Sequence, residues 1–361
     1  MIHGLSSELE RILAAGNSAP SGENCQPWRF VVRPGLSEIE IHLLPERDQS
    51  PYSWGQRASY LANGAAIENM AIAASSEGYR TEVRYFPREE DEWHVATLAL
   101  AKDPTIKPDA LASFIGTRVS NRKVYEKKPL AREERAAFLD AAANGYGEFA
   151  LTEAPADVER LGRVGSTNEE VMLANHLLHS FFFSHVNWTE AEDREKKVGF
   201  YIKTLELPPP AEAMFKLFRH WTIMRIFNAL GFNRLVAKQN AAVNAAASAM
   251  GALMLAETDP LDFVKAGRTI ERLWLTATAL GLSLQPLTGI LFFKLKLDAG
   301  EHAVFSPVQQ KRISDAYQDV ARIFSADGKH IAFMVRLGRG AAPSAQAIRF
   351  PLAEVVDIPS K

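Results

Sequence analysis

The chain has 361 residues, 47% of them hydrophobic and 23% charged, and its 41 basic and 43 acidic groups leave a net charge of −2. That length supports one large core or two smaller ones. The near balance of charge offers no broad positive field for nucleic acid and no acidic surface for cationic partners, so small molecules are the expected partners. A single cysteine, Cys25, excludes an internal disulfide framework and any cysteine-based zinc site. A reducing, cytoplasmic compartment is expected.

The N-terminal stretch MIHGLSSELERILAA carries acidic residues where a secretory signal needs a basic start and an apolar core, so none is expected. Residues 6–15 repeat apolar side chains at helical spacing, with Ser6 or Ser7 as N-cap. The helix ends in SAPSGENCQPW, residues 18–28. WRFVV and IEIHLL then read as short strands separated by the turn dipeptide Pro34-Gly35. A helix is expected over 57–78, closed by Gly78, followed by strands at YRTEVRYF and HVATLALA.

From about residue 113 the same order of elements begins again. AREERAAFLDAAANG at 131–145 parallels the first helix, and AGRTIERLWLTATALGLSLQPLTGI at 266–290 parallels the helix and strand beginning at Ala58. Two repeats are therefore expected, 1–112 and 113–361, although unrelated packing of amphipathic helices gives a similar pattern. The second contains an excursion at 187–242, with TEAEDREKK, a PPP break at 208–210 and the basic amphipathic MFKLFRHWTIMRIFNALGFNRLVAK. Such an insertion suits a lid, a packed helical hairpin or a membrane-surface helix. The most apolar runs fall well short of the ~18 residues a membrane span needs.

Several chemistries lack their sequence signature: no GxGxxG follows a strand, and there is no GxxxxGK[ST], GxSxG or HExxH. His176, His179 and His185 are the nearest approach to a metal set, but no fixed carboxylate pattern accompanies them, so no metal is expected. Three polar stretches stand out instead. In the 18–28 turn, Pro20 presets the backbone, Ser21 and Gly22 leave a hydroxyl and amides exposed, and Asn24 and Gln26 offer amide heads. Such a turn can serve a planar heterocycle, or it can be an ordinary Asx or Ser turn. Arg118-Val119-Ser120-Asn121-Arg122, if extended, points both guanidiniums and the hydroxyl to one side, as a phosphate clamp or as an exposed basic edge. Gln285-Pro286-Leu287-Thr288-Gly289 follows the helix ending at Gly281, and Gly289 permits close backbone approach to a flat ligand.

Together these stretches resemble the flavin-binding motifs of the nitroreductase family. SAPSGENCQPWRFVV is similar to that family's PSxxNxQPW turn, RVSNR to its R-x-S-x-[RK] phosphate motif, and LQPLTGI to its P-x-E-G loop. AIRFPLAEVV resembles the closing segment that carries a last phosphate-binding arginine, here Arg349. The resemblance implies an α+β, nitroreductase-like fold of mixed, mostly antiparallel sheets flanked by helices. It implies Arg118, Ser120, Arg122 and Arg349 on the phosphate of FMN, with Pro20, Ser21, Gly22 and Asn24 against the flavin and Pro286, Thr288 and Gly289 beside its ring.

Two departures accompany it. Thr288 stands where the family motif often has Glu, and the phosphate motif follows the QPW turn by about ninety residues instead of preceding it. In the family's homodimers the two motifs meet across the subunit interface. The chain therefore resembles two fused repeats, a monomer acting as a pseudo-dimer with one FMN per chain. The resemblance implies an FMN-dependent oxidoreductase that takes hydride from NAD(P)H, as transient co-substrate, to an electron-poor nitroaromatic or quinone-type acceptor in a ping-pong cycle. No side chain is expected to be catalytic, because flavin N5 carries the chemistry. The alternative is a non-catalytic FMN-binding protein with 187–242 closed over the flavin. Cys25 reads as a small filler within the turn.

Overall fold

A computed structural model describes residues 5–33 and 37–359; the turn expected at Pro34-Gly35 lies outside the described residues. Helix α1 (Ser7–Asn17) is capped by the Ser6 hydroxyl, which accepts from Leu9 N at 3.2 Å. Strands β1 (Trp28–Val32) and β2 (Glu38–Leu43), helix α2 (Arg57–Ser76), and strands β3 (Tyr79–Tyr85) and β4 (His94–Lys102) follow, as their periodicities predict. Next come α3 (Arg132–Ala143), β5 (Glu148–Thr152), α4 (Pro155–Leu173) and α5 (His176–Ser184). The excursion contains β6 (Val186–Asn187), α6 (Glu190–Lys196), β7 (Phe200–Tyr201), α7 (Pro209–Phe218), α8 (Trp221–Ala229) and α9 (Phe232–Ala245). The chain continues through β8 (Ala249–Leu255), α10 (Pro260–Ala279), β9 (Ser283–Pro286), α11 (Gly289–Asp298), α12 (Pro307–Ile323), β10 (His330–Gly338) and β11 (Val356–Asp357).

The strands form a five-stranded sheet, β11-β1-β2-β4-β3, and a four-stranded sheet, β5-β8-β10-β9. Pairing is antiparallel throughout except between β11 and β1; β6 and β7 form a separate short parallel pair. This is the expected α+β arrangement of mixed, mostly antiparallel sheets flanked by helices. The C-terminal β11 returns to the first sheet, placing Val356 opposite Phe30. Among the described residues, no helix is long and apolar enough to cross a membrane.

Between the sheets α2 and α10 cross at two glycines. A Cβ on Gly64 would run into the Val264 carbonyl oxygen, and one on Gly267 into that of Leu61. The contact is reciprocal, each glycine meeting the carbonyl three residues before the other, and only a residue without a side chain permits backbones this close. Four residues beyond each glycine is a buried glutamate, Glu68 on α2 and Glu271 on α10. One helical turn carries the pair away from the crossing, Glu68 into the wall of a cavity and Glu271 to within 3.1 Å of Arg118.

Candidate functional site

Pro20, Ser21, Asn24, Arg118, Ser120, Arg122 and Arg349 line a single cavity of about 210 Å³. The turn after α1, the segment before α3 and the segment before β11 meet there, although about 330 residues separate Pro20 from Arg349. Arg118–Arg122 is irregular backbone rather than a strand; Ser120 alone makes a bridge, parallel to Leu284.

The cavity's charge comes from three guanidiniums. Arg118 stacks over the Trp274 ring at 4.5 Å, donates to Ser18 O, and lies 3.1 Å from the Glu271 carboxylate. Among the described residues neither Glu271 oxygen has an aligned hydrogen-bond partner, and burial raises the pKa of this carboxyl against the pull of Arg118. Arg122 donates to Thr204 O at 3.1 Å; burial lowers its pKa. Arg349 donates to Ala19 O at 2.8 Å and to Asn24 Oδ1, and its Nε is buried without a partner. Burial, with Arg118 nearby, pushes Arg349 down to about 10. One carboxylate against three guanidiniums leaves an excess of desolvated positive charge, which is costly unless an anion completes it.

The turn itself is strained. Glu23, Asn24 and Gln26 have φ values of 43°, 54° and 49°. Asparagine tolerates this left-handed region, but glutamate and glutamine enter it only when their surroundings compel them. The Asn24 amide donates to Lys197 O at 2.9 Å and Ile348 O at 2.8 Å. Gln26 donates to Lys197 O at 2.8 Å and accepts from Phe350 N at 2.7 Å. Buried Trp28 donates to Asn17 Oδ1, and Asn17 in turn to Phe350 O. In this conformation the amide heads that the sequence reading offered to a heterocycle instead tie the turn to the excursion and the C-terminal segment. Cys25 packs inside the turn, and burial pushes its thiol pKa up, which suits a filler and not a nucleophile.

Glu23 carries a testable consequence. Burial, then the nearby Asp48, raises its carboxyl to about 8. The folded state therefore binds this proton more tightly than the unfolded chain, and stability falls as pH rises from the unfolded value toward 8. Between pH 5.5 and 8.5 the wild type should lose roughly 3 kcal/mol in urea unfolding, and Glu23→Gln should flatten that slope. Equal slopes in both proteins would show that Glu23 ionises freely.

Pro286, Thr288 and Gly289 do not line this cavity, nor does Gly22, which is exposed. Pro286 ends β9 opposite Val335, Thr288 precedes α11, and a Cβ on Gly289 would collide with Asn168 of α4. The sequence reading missed Glu271, which sits behind the cavity against Arg118, and the excursion residues Gly199, Phe200 and Thr204 in the cavity wall. Gly199 N donates to Glu23 O at 2.7 Å, so the excursion is docked directly on the turn. The three candidate histidines pack elsewhere: His176 and His179 lie against Trp221, and His185 Nδ1 is 2.8 Å from Phe181 O. A separate trio, Glu40, His42 and His94, does group its ligand atoms within 4.8 Å. However, Arg33 and Arg88 occupy the Glu40 carboxylate, and the two imidazoles stack face to face, which turns their nitrogens along each other rather than toward one point.

No family model matches the chain. Two proteins of Mycobacterium tuberculosis, provisionally named NAD(P)H nitroreductases, are each 26% identical to it over 303 residues, covering 82% of this chain and 80% of theirs. Among solved structures, it is similar to an FMN-dependent nitroreductase from Mycobacterium smegmatis in complex with NADPH, with a TM-score of 0.39 and 12% identity over 69% of this chain and 98% of that one. A nitroreductase-like protein from Bacillus cereus gives a TM-score of 0.37 and 12% identity, covering 71% and 98%. By sequence, the chain is similar to two proteins that carry the nitroreductase name.

Proposed function

We propose that the protein is an FMN-dependent NAD(P)H oxidoreductase built as two fused repeats, 1–112 and 113–361, with one flavin site between them. The observation that carries the reading is the convergence of Arg118, Arg122 and Arg349 on one cavity with Glu271 as the carboxylate beside them. A phosphate dianion matches that charge, and the unpartnered Arg349 Nε supplies a donor for one of its oxygens. The crossing of α2 and α10 supports the repeat reading, since both helices contribute a glycine and a glutamate in the same register. The names of the two M. tuberculosis relatives support the hydride donor.

The proposal divides the work among the chain's own groups. Arg118, Ser120, Arg122 and Arg349 hold the phosphate, while Pro20, Ser21, Gly22 and Asn24 border the ring system. Pro286, Thr288 and Gly289 belong to the ring's far edge, which requires Asn168 to withdraw from Gly289. Bound flavin supplies acceptance of hydride from NAD(P)H and its delivery to a second substrate. NAD(P)H and an electron-poor acceptor, nitroaromatic or quinone in type, use the same space in turn.

A second reading, an FMN-binding protein without turnover, is favoured by one set of contacts. Lys197, Gly199 and Thr204 are hydrogen-bonded to the turn and to Arg122, so the excursion forms part of the cavity wall, which is what supports a lid that would hinder approach of NAD(P)H. Anaerobic addition of NADPH to the yellow protein separates the two. Bleaching of the flavin is expected, at one FMN per chain. Persistent colour that dithionite removes would favour the binding protein, and two FMN per chain would overturn the single-site assignment.

A further inference from the structure

We propose that a second cleft, on the Glu68 side of the α2–α10 pair, binds a planar aromatic carboxylate. The cleft measures about 780 Å³ and shares no lining residue with the arginine cavity. Its size falls within the range of ~300–1,000 Å³ usual for small-molecule sites. Its walls come from α10, α3, the Asn144–Tyr146 turn, Tyr85 and Leu111.

Among the charged residues lining this cleft, Lys265 on α10 and the exposed Asp140 on α3 make no ion pair with any described residue. Arg268 donates to Glu68 at 2.8 Å and to the Tyr85 hydroxyl at 2.7 Å. Arg272 pairs with the other Glu68 oxygen at 2.7 Å and with Asp109 at 2.9 Å. Two guanidiniums thus meet two carboxylates. Lys265, one turn before them on α10, has no ion pair among the described residues. Its ammonium lies 4.9 Å from the Tyr146 ring centroid and 5.8 Å from that of Tyr85. Asp262, three residues before it, accepts from the Tyr146 hydroxyl. Aromatic faces attract an ammonium without satisfying its N–H donors. An anion entering the cleft therefore finds Lys265 framed by two rings, with the exposed Asp140 carboxylate on the α3 wall as the other lining charge without an ion pair among the described residues.

The remaining wall selects for shape. Leu111, Ala137 and Ala141 give apolar contact without bulk, while Asn144, Thr269 and Thr276 add a few polar groups. A flat ring can lie along the alanine face of α3 with its carboxylate at Lys265. A phosphate ester fits less well, because both arginines that would grip it are already held by carboxylates.

The comparison with the arginine cavity rests on the two-repeat reading; the ligand argument does not. On that reading the cleft is the counterpart of the flavin site, altered beyond FMN binding. Where the first half has a strained turn, the second has Asn144-Gly145-Tyr146 pressed onto α10, with Tyr146 N donating to Thr269 Oγ1 at 2.6 Å. A Cβ on Gly145 would strike that threonine.

The test is calorimetric titration of the FMN-loaded protein with 2-naphthoate. Saturable binding of one naphthoate per chain is expected, with the visible flavin band unmoved. Lys265→Gln should weaken it about tenfold or more, and Ala141→Trp, which fills the cleft without changing charge, should abolish it. If one variant fails to fold, the other decides. No saturable heat, or heat unchanged in a folded variant, would overturn the proposal. So would a flavin-band shift or FMN release, which would place the naphthoate in the flavin site. Because the FMN count per chain is measured independently, failure of the single-flavin reading is told apart from failure at this cleft.

Discussion

Exchanging Arg349 for Met should lower affinity for FMN by about 100-fold, since each hydrogen bond to a charged group contributes roughly 1.5–3 kcal/mol. The same side chain also holds the turn through Asn24 and Ala19 O, so a loss of FMN alone would be ambiguous. Riboflavin, which lacks the phosphate, resolves this: its affinity should barely change if Arg349 acts on the phosphate. Arg349→Lys, which keeps the charge but not the planar fork, should fall between wild type and Met. Titration of the apoprotein by flavin-fluorescence quenching measures all of these. Equal losses for FMN and riboflavin would mean that Arg349 serves the turn and that the phosphate lies elsewhere. Removing Arg118 is a harsher change, because it leaves Glu271 buried without its cation, a situation that typically costs about 3–5 kcal/mol.

Gly64→Ala should destabilise the protein by about 3 kcal/mol or more, the upper end for overpacking, because its new Cβ meets the backbone oxygen of Val264 and not a side chain that can swing aside. Gly267→Ala should do the same against Leu61 O. Gly116→Ala serves as the control: nothing lies within 4 Å of its Cβ and its φ is not positive, so its effect should stay within about 0.5 kcal/mol. Urea unfolding reports these differences. A loss below about 1 kcal/mol at Gly64 would show that α2 and α10 can slide apart cheaply, and the crossing would no longer count as the point that fixes the two halves.

The order of elements was legible because it depends on local pattern: Ser6 before an amphipathic run, alternating residues in YRTEVRY, and Gly78 after a helix all act within a few positions. The convergence of the turn, Arg118–Arg122 and Arg349 was legible only through the motif resemblance, since periodicity cannot relate positions hundreds of residues apart. What escaped the sequence is how the polar groups are committed. Nothing local distinguishes Glu271, set beside Arg118, from Glu68, set between Arg268 and Arg272. Nor does the sequence announce that the Asn24 and Gln26 amides end on the carbonyls of Lys197 and Ile348. Both depend on backbone groups brought in from distant segments, and any residue can supply a carbonyl.

The strained turn has a consequence for the order in which the molecule can be made. Its left-handed glutamate, asparagine and glutamine are held in part by Lys197 and Gly199 and in part by partners at 348, 349 and 350, so the clamp is not complete until almost the whole chain has been synthesised. At about 5–20 residues per second, the interval between Ala19 and Phe350 is on the order of tens of seconds. During it, the first sheet lacks β11 and the turn lacks its complete clamp. If the cavity holds flavin as proposed, its capture would be a late event that reports completion of the polypeptide.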